Sequence, residues 1–502
     1  YDNQFISLDI SQNKLLEVLD CHNTNISGLD VSKNTLLKEF DCSKNNINSL
    51  DISQNKLLEV LNCSETHISD LDVSKNTSLR ELYYGGNNIS NLDLSNNMYL
   101  EALNCQDNHI SSLDVSQYTS LKWLCCSGNQ ISSLDVSNNT LLENLSCGNN
   151  LLNSLDVSQN TLLEALNCQN NQLDSLDVSR NIALQQLNCE CNRLNRLDVS
   201  QNTSLVWLYC GDNLIHSLNV RENTLLRYFD CHANELDSLD VSLNTLLWNL
   251  SCGNNQIKIL DLSQNTNLGF LSCSSNQLNS LDISHNTGII HLFCWGNKFD
   301  QVDVSKQTLY QNSYRPDSDN SSYYERESYQ AWGGTVTYDK ENGLLLFSLE
   351  STNTSTDDST SGTNPSDTQQ DSDKQNEGEG VAIDQTNFPD SIFREYVSEN
   401  FDTDENGNLS QEEILNIEQV RIESAKVSSL MGVEYFSYLK YLYCSANWLT
   451  ELDISHNKEL ISVWCAANQI KTLDLGEKEN LTELYCHLNQ LENIDISELP
   501  SL

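Results

Sequence analysis

Along most of the chain the apolar residues keep a fixed cadence. In one stretch apolar or thiol side chains stand at Leu163, Leu166, Cys168, Leu173, Leu176 and Val178, and polar residues fill nearly everything between. Advancing by 21 residues returns the same spelling. First positions fall at Leu16, Leu37, Leu58, Leu79, Leu100, Leu121, Leu142, Leu163, Leu184, Leu205, Leu226, Leu247, Leu268 and Ile289, fourteen units in phase from Leu16 to Phe299. The Leu-x-Cys alternation predicts a short strand with one face buried, Leu166 and Cys168 inward and Asn167 outward. The Asn at the ninth position closes the turn after the strand. Its amide is placed to bond backbone groups of its own and the adjacent coil, which buried turns require. Leu-Asp-Val-Ser builds the opposite wall, and the Asn181-type residue starts the turn back. Each coil buries about seven side chains, roughly 1.5–3 kcal/mol apiece before conformational entropy. A lone coil cannot fold on that margin, but a stack can.

A strict period near this length predicts a leucine-rich-repeat solenoid, a parallel β-ladder horseshoe with loops and short turns on its convex side. With strands about 4.8 Å apart, the ladder would run on the order of 65 Å. The phase breaks divide the chain as follows. Residues 1–305 form the first solenoid. Residues 306–350 form a C-terminal β cap, carrying Tyr310, Tyr314, Tyr323, Tyr324, Tyr329 and Trp332, then β runs at Thr335–Tyr338 and Leu344–Leu349 around an Asn342-Gly343 turn. Residues 351–380, polar and acidic throughout, read as a disordered linker. Residues 381–435 form a helical N-terminal cap. Residues 436–502 restart the repeat at Leu439/Leu442/Cys444, Leu460/Val463/Cys465 and Leu481/Leu484/Cys486 as a second, truncated solenoid in tandem with the first. Both ends fall inside repeats and read as cuts in a longer protein, so a missing signal or anchor carries no information.

Charge narrows the partners. A net charge of -44, from 71 acidic and 27 basic side chains, repels nucleic acid and anionic membranes. Apolar runs such as Gly343–Phe347 are far too short for membrane insertion. Of eighteen cysteines, sixteen share one repeat position, and Cys125 and Cys191 are off register. That is neither a disulfide framework nor a zinc pattern. It fits a row of slim buried hydrophobes, with a redox-sensing or metal-binding thiol column as the alternative. The row Asp9, Asp30, Asp51, through Asp303, broken only by Asn219, reads as Asx-type turn caps or as a cation-binding column.

The full spelling, Leu-x-x-Leu-x-Cys-x-x-Asn-x-Leu-x-x-Leu-Asp-Val-Ser-x-Asn-Thr, resembles the cysteine-containing repeats of internalin J-like bacterial surface proteins. The resemblance covers about 1–305 and 417–502. It implies an extracellular or cell-surface bacterial protein acting in adhesion. No mucin-binding-type repeat and no Leu-Pro-x-Thr-Gly sorting signal is found in this sequence.

In a horseshoe the third, fifth and seventh slots of each repeat face the concave side. They are small or polar early on, then aromatic at Trp123 and from Trp207 onward: Trp207, Tyr209, Tyr228, Phe270, His291, Phe293 and Trp295, with Trp248 one slot off the face. Exposed aromatics on neighbouring strands suit protein anchors or sugar stacking; the alternative is that the following segment covers them. A separate motif, Asp402-Thr-Asp404-Glu-Asn406-Gly407-Asn408-Leu409-Ser410-Gln-Glu-Glu413, matches the EF-hand loop at every position. Ca²⁺ would take oxygens from Asp402, Asp404, Asn406, the Asn408 carbonyl, Ser410 and bidentate Glu413. Gly407 permits the turn, Leu409 points into the core, and helices flank at Asp390–Asn400 and Gln411–Gln419. No second loop is present, so the ion would act as a folding staple; the alternative is a helical cap that keeps the spelling without metal.

These features predict a non-catalytic protein that binds a host or bacterial surface protein, or a glycan, through its concave face. The rivals are a targeting module of a larger secreted enzyme, whose catalytic domain lies outside this chain, and a structural cell-wall spacer. No nucleophile with base and orienter is legible, and the nine histidines are scattered.

Overall fold

A computed structural model describes residues 3–4, 7–307, 334–339, 344–349, 380–497 and 499–502. The aromatic run from Tyr310 to Trp332 and nearly all of the acidic linker lie outside the described residues. The chain forms two compact units, Leu100–Ser355 and a second made of Tyr1–Tyr99 with Thr356–Leu502.

In the Leu100–Ser355 unit, ten three-residue strands follow one another from Ala102–Asn104 to His291–Phe293. All are parallel and paired one repeat apart, so that Leu166, Leu187 and Leu208 sit in one register. The central residue of each strand is buried, and its two neighbours stay largely half-exposed on the opposite side. The strand is shifted by one residue from the sequence expectation. It spans Ala165–Asn167, and Cys168 falls just past its end. The Cys168 N–H still donates to the Asn188 carbonyl at 2.8 Å, so the ladder continues through the thiol position. Burial pushes the thiols up, to about 12 at Cys63 and well above the ordinary range at Cys147. Protonated thiols at these sites behave as compact apolar groups.

Two asparagine columns tie coil to coil. Asn171 Nδ2 donates to the carbonyls of Cys147 and Cys168, each at 3.1 Å, and its Oδ1 accepts the Leu152 N–H at 2.9 Å. Asn181 is fully buried and donates to Val157 and Asn160 carbonyls at 3.0 and 2.9 Å. Its role exceeds the simple turn start read from sequence. The Asp row forms Asx turns: Asp30, Asp177 and Asp261 each accept the N–H of the Ser two residues on at 2.9 Å. That N–H holds the Asp177 carboxyl below its ordinary pKa. Asn219, the exception, keeps the bond through its Oδ1 to Arg221 N–H at 3.1 Å. After the ladder, Gly334–Asp339 pairs antiparallel with Leu344–Leu349, close to the β runs expected there. Leu344–Leu349 also pairs with Gln301–Asp303, an additional strand drawn from the preceding repeat.

In the other unit, strands Val18–Asp20 through Glu81–Tyr83 form a four-strand parallel run. A second parallel ladder links Gln419–Arg421, Tyr441–Tyr443, Ser462–Trp464 and Glu483–Tyr485. Ahead of it lies the helix Ser391–Phe401, N-capped by Asp390, with Phe393 and Val397 buried. Phe393 packs near Phe388 and Phe436 at ring distances of 5.9 and 6.5 Å. The second block meets the first coil through the same asparagine chemistry. Asn13 Nδ2 donates to Leu499 O at 2.7 Å, the bond that Asn34 makes to Asn13 O, also at 2.7 Å.

Lys478 stands in this buried column, where nearly all other coils carry Asn and Tyr118 and Gln307 are further exceptions. It is 0% exposed, and its Nζ donates to the carbonyls of Ile454 and Leu475. Burial lowers its pKa from the ordinary 10.5 to about 8, against the pull of Asp474 and Asp453. A depressed lysine pKa means that the unfolded chain binds the extra proton more readily. The penalty is therefore full below pH 8 and fades as pH rises toward 10.5. Lys478→Asn is expected to raise the thermal midpoint at pH 7 by about 2–4 °C, with the gain vanishing near pH 10.5. Thermal melts across that range check it; an equal gain at every pH would contradict the assignment.

Candidate functional site

The concave face is built from slots that the repeat leaves variable. Trp207 and Tyr228 occupy the third slot of adjacent strands and are direct Cα partners. Their rings stack 5.9 Å apart with planes 8° from parallel. Trp248 leans onto Tyr228 at 5.9 Å and 56°, extending the array to three rings although it sits one slot off the face. It remains 42% exposed. Gly269 makes room for it, since a Cβ there would lie 2.5 Å from the indole Nε1. Tyr209 is half-buried at the other end of the Trp207 strand. The result is a partly exposed aromatic cluster on adjacent strands, the kind of surface on which aromatic anchors concentrate binding energy.

The C-terminal members behave differently. Phe270 lies 6.0 Å from His291 and 5.5 Å from Phe293, and Phe293 meets Trp295 edge-on at 5.4 Å. Phe293 and Trp295 are only 3% and 1% exposed. Being buried, these two leave the candidate surface. Phe270 and His291 stay half-exposed; burial holds the His291 pKa below its usual value. Trp123 pairs across the ladder with Ala102 and Asn144, away from the three-ring array.

The second ladder carries a strip that sequence reading missed in part. Tyr443, Trp464 and Tyr485 fill the fifth slot of three successive coils, with ring distances of 5.6 and 4.7 Å. Tyr441 stacks beside Tyr443 at 6.5 Å, and the Arg421 guanidinium lies 4.1 Å over the Tyr443 ring. Trp464 and Tyr485 are about two-fifths exposed. The signal was present: an aromatic at one slot in every proper unit of that block. Trp448, by contrast, lies outside that strip, with the Lys426 ammonium 5.8 Å above its ring.

The loop at 402–413 brings its carboxylates together. One oxygen each of Asp402, Asp404 and Glu413 lies within 4.8 Å of the others. Asp402 accepts the N–H groups of Asn406 and Gly407 at 3.0 and 2.8 Å, and Asn406 Oδ1 accepts Asn408 N–H at 2.8 Å. Glu413 takes Thr403 N–H at 2.7 Å and Ser410 N–H at 2.8 Å, closing the ends of the loop on one carboxylate. The Thr403 hydroxyl, which donates to the same carboxylate at 2.7 Å, and then the Ser410 N–H pull its pKa down to about 2. Gly407 has φ +79°, and Leu409 is fully buried as expected. Asn408–Leu409 pairs antiparallel with Val381–Ala382, which stands where a second loop would. The helix after the loop is shorter than expected, Gln411–Leu415 rather than reaching Gln419. Ile417 and Val420 are buried in the repeat core, and Gln419–Arg421 is drawn into the ladder.

With this geometry in view, comparison with solved structures is informative. The functional domain of InlJ from Listeria monocytogenes, described as including a cysteine ladder, aligns at TM-score 0.53 and 30% identity over 67% of this chain and 85% of its own. The chain belongs to the internalin J-like leucine-rich-repeat family. Two further structures share the fold: a leucine-rich-repeat protein of Leptospira interrogans (TM-score 0.53, 22% identity, 62% of this chain and 90% of that one) and the internalin InlF of Listeria monocytogenes (TM-score 0.51, 24% identity, 57% and 87%). No family model and no curated protein matches the sequence. The column of buried thiols in this internalin J-like chain corresponds to the feature that names the InlJ domain. Among the described residues, no helix is long and apolar enough to cross a membrane.

Proposed function

We propose that this chain is a non-catalytic, extracellular or cell-surface bacterial binding module that engages a host or bacterial surface protein, or a glycan, in adhesion. The carrying observation is the three-ring array Trp207–Tyr228–Trp248 on the rigid ladder. Membership of the internalin J-like family supports a protein partner. The ion at Asp402, Asp404, Asn406, Asn408, Ser410 and Glu413 is Ca²⁺, serving to fix the cap of the second ladder.

Arrays of host and bacterial surface proteins and of glycans, probed with the full chain, test the proposal. Saturable binding is expected, and Trp207→Ala with Tyr228→Ala should weaken it by about 30-fold or more, the loss of a hot spot. The thermal midpoint should stay put, because both rings are half-exposed. No saturable ligand, or a midpoint that falls in step with binding, sinks the reading.

A further inference from the structure

We propose that Glu190, Asp230 and His232 form a binding site for a divalent transition-metal ion beside the aromatic array. The repeat brings them together. Glu190 and His232 hold the seventh slot two coils apart, and Asp230 holds the fifth slot of the histidine's own coil. One ligand atom from each lies within 4.8 Å of the other two. An ion with bonds of about 2.0–2.2 Å spans such a set after a small inward movement.

The surroundings are built around the imidazole. His232 is 8% exposed, and Asp230 Oδ1 lies 2.6 Å from its Nδ1, fixing the ring's orientation. Asp212 Oδ2 lies 3.4 Å from Nε2 and supplies a further carboxylate. The coil between contributes Gly211, where a Cβ would sit 2.3 Å from His232 Nδ1, so the ring occupies space that only glycine leaves. A carboxylate-oriented histidine among other carboxylates is a recurrent metal environment. Three carboxylates around one imidazole also leave negative charge in a partly desolvated pocket, and a divalent cation balances it. Imidazole with oxygen donors selects zinc, cobalt, nickel or manganese over calcium. The Asp-x-His pair occurs a second time: Asp20-Cys21-His22 holds the same slots, with His22 Nδ1 2.7 Å from Asp20 Oδ1 and, as third member, Asp41 from the fifth slot of the next coil. There the His and Asp side chains are more open, at 26% and 38% exposure, which makes that trio an internal comparison.

The test uses the full chain carrying Glu413→Gln, so that the loop at 402–413 does not contribute. Co²⁺ is titrated with equilibrium dialysis and visible absorption, and thermal melts are run with and without Zn²⁺. One Co²⁺ equivalent should disappear on Glu190→Gln and on His232→Gln, and persist in His22→Gln. Zn²⁺ should raise the thermal midpoint of the chain that retains Glu190 and His232, a readout that needs no further variant. Co²⁺ binding unchanged by Glu190→Gln, or no Zn²⁺ shift, overturns the site. So does a thiolate charge-transfer band removed by Cys191→Ser, because Cys191 Sγ lies 3.6 Å from Asp212 Oδ2.

Discussion

Asn171→Ala is expected to lower the free energy of unfolding by about 2–4 kcal/mol. The side chain makes bonds in both directions along the stack. It donates to Cys147 O and Cys168 O at 3.1 Å and accepts Leu152 N–H at 2.9 Å. Alanine leaves the Leu152 N–H without its partner in an enclosed turn, at a cost of about 1–3 kcal/mol, while Cys147 O and Cys168 O each keep a bond, from Asn150 Nδ2 and Asn192 Nδ2 at 3.1 Å. The two lost carbonyl bonds add about 0.5–1.5 kcal/mol each, and partial entry of water keeps the total below the upper limit. Denaturant unfolding monitored by circular dichroism gives the value, with Ser154→Ala, an exposed side chain, expected to stay within about 0.5 kcal/mol. A loss below about 1 kcal/mol for Asn171→Ala would mean that water replaces the amide at little cost and that the leucine rows alone hold the coils together.

That prediction rests on a residue whose role was readable from its slot, and the contrast with other slots is instructive. Leu166, Asn171 and Asp177 were legible because their partners lie in the same or the next coil, where the fixed period places them. The one-residue shift of the strand to Ala165–Asn167 was not legible, because Cys168 keeps its ladder hydrogen bond while leaving strand geometry. Trp295 and Phe293 occupy outward slots by periodicity but are buried. A repeat pattern states which way a side chain leaves the coil, and not how deeply neighbouring rings such as Phe270 bury it. The Glu190–Asp230–His232 group was missed for the opposite reason. Its members are distant in sequence and become neighbours only when the chain is read modulo its own period. Tyr443, Trp464 and Tyr485 answer to that same reading. The turn at Gly407 and the buried Leu409 in the 402–413 loop were legible, since they depend on local spacing. Only the following helix was overextended, at the point where Ile417 and Val420 are claimed by the core.

Glu413→Gln is expected to weaken Ca²⁺ binding by the full chain about 100-fold or more, a loss of roughly 2.7 kcal/mol of binding free energy, while leaving the cap folded. The substitution separates two roles of one residue. As the third residue of the helix Gln411–Leu415, Glu413 completes a capping box with Ser410. Glutamine keeps that box through its single amide oxygen, so the helix start survives, while the Thr403 N–H loses its bond to the other carboxylate oxygen. As a ligand, the same carboxylate would supply two oxygens and a full charge, and the amide offers one oxygen and none. The remaining carboxylates, Asp402 and Asp404, are held by loop N–H groups whether or not the ion is present. Their convergence should therefore persist in the variant and bind weakly. Val381–Ala382 already pairs with Asn408–Leu409, so the loop needs no second copy to keep its shape. Calorimetry with Ca²⁺ gives the affinities, and circular dichroism confirms the fold. Ca²⁺ should also raise the thermal midpoint of the unsubstituted chain and not that of the variant. Equal heats for both proteins would place the ion elsewhere, and a cap that melts in the variant would assign Glu413 to the helix alone.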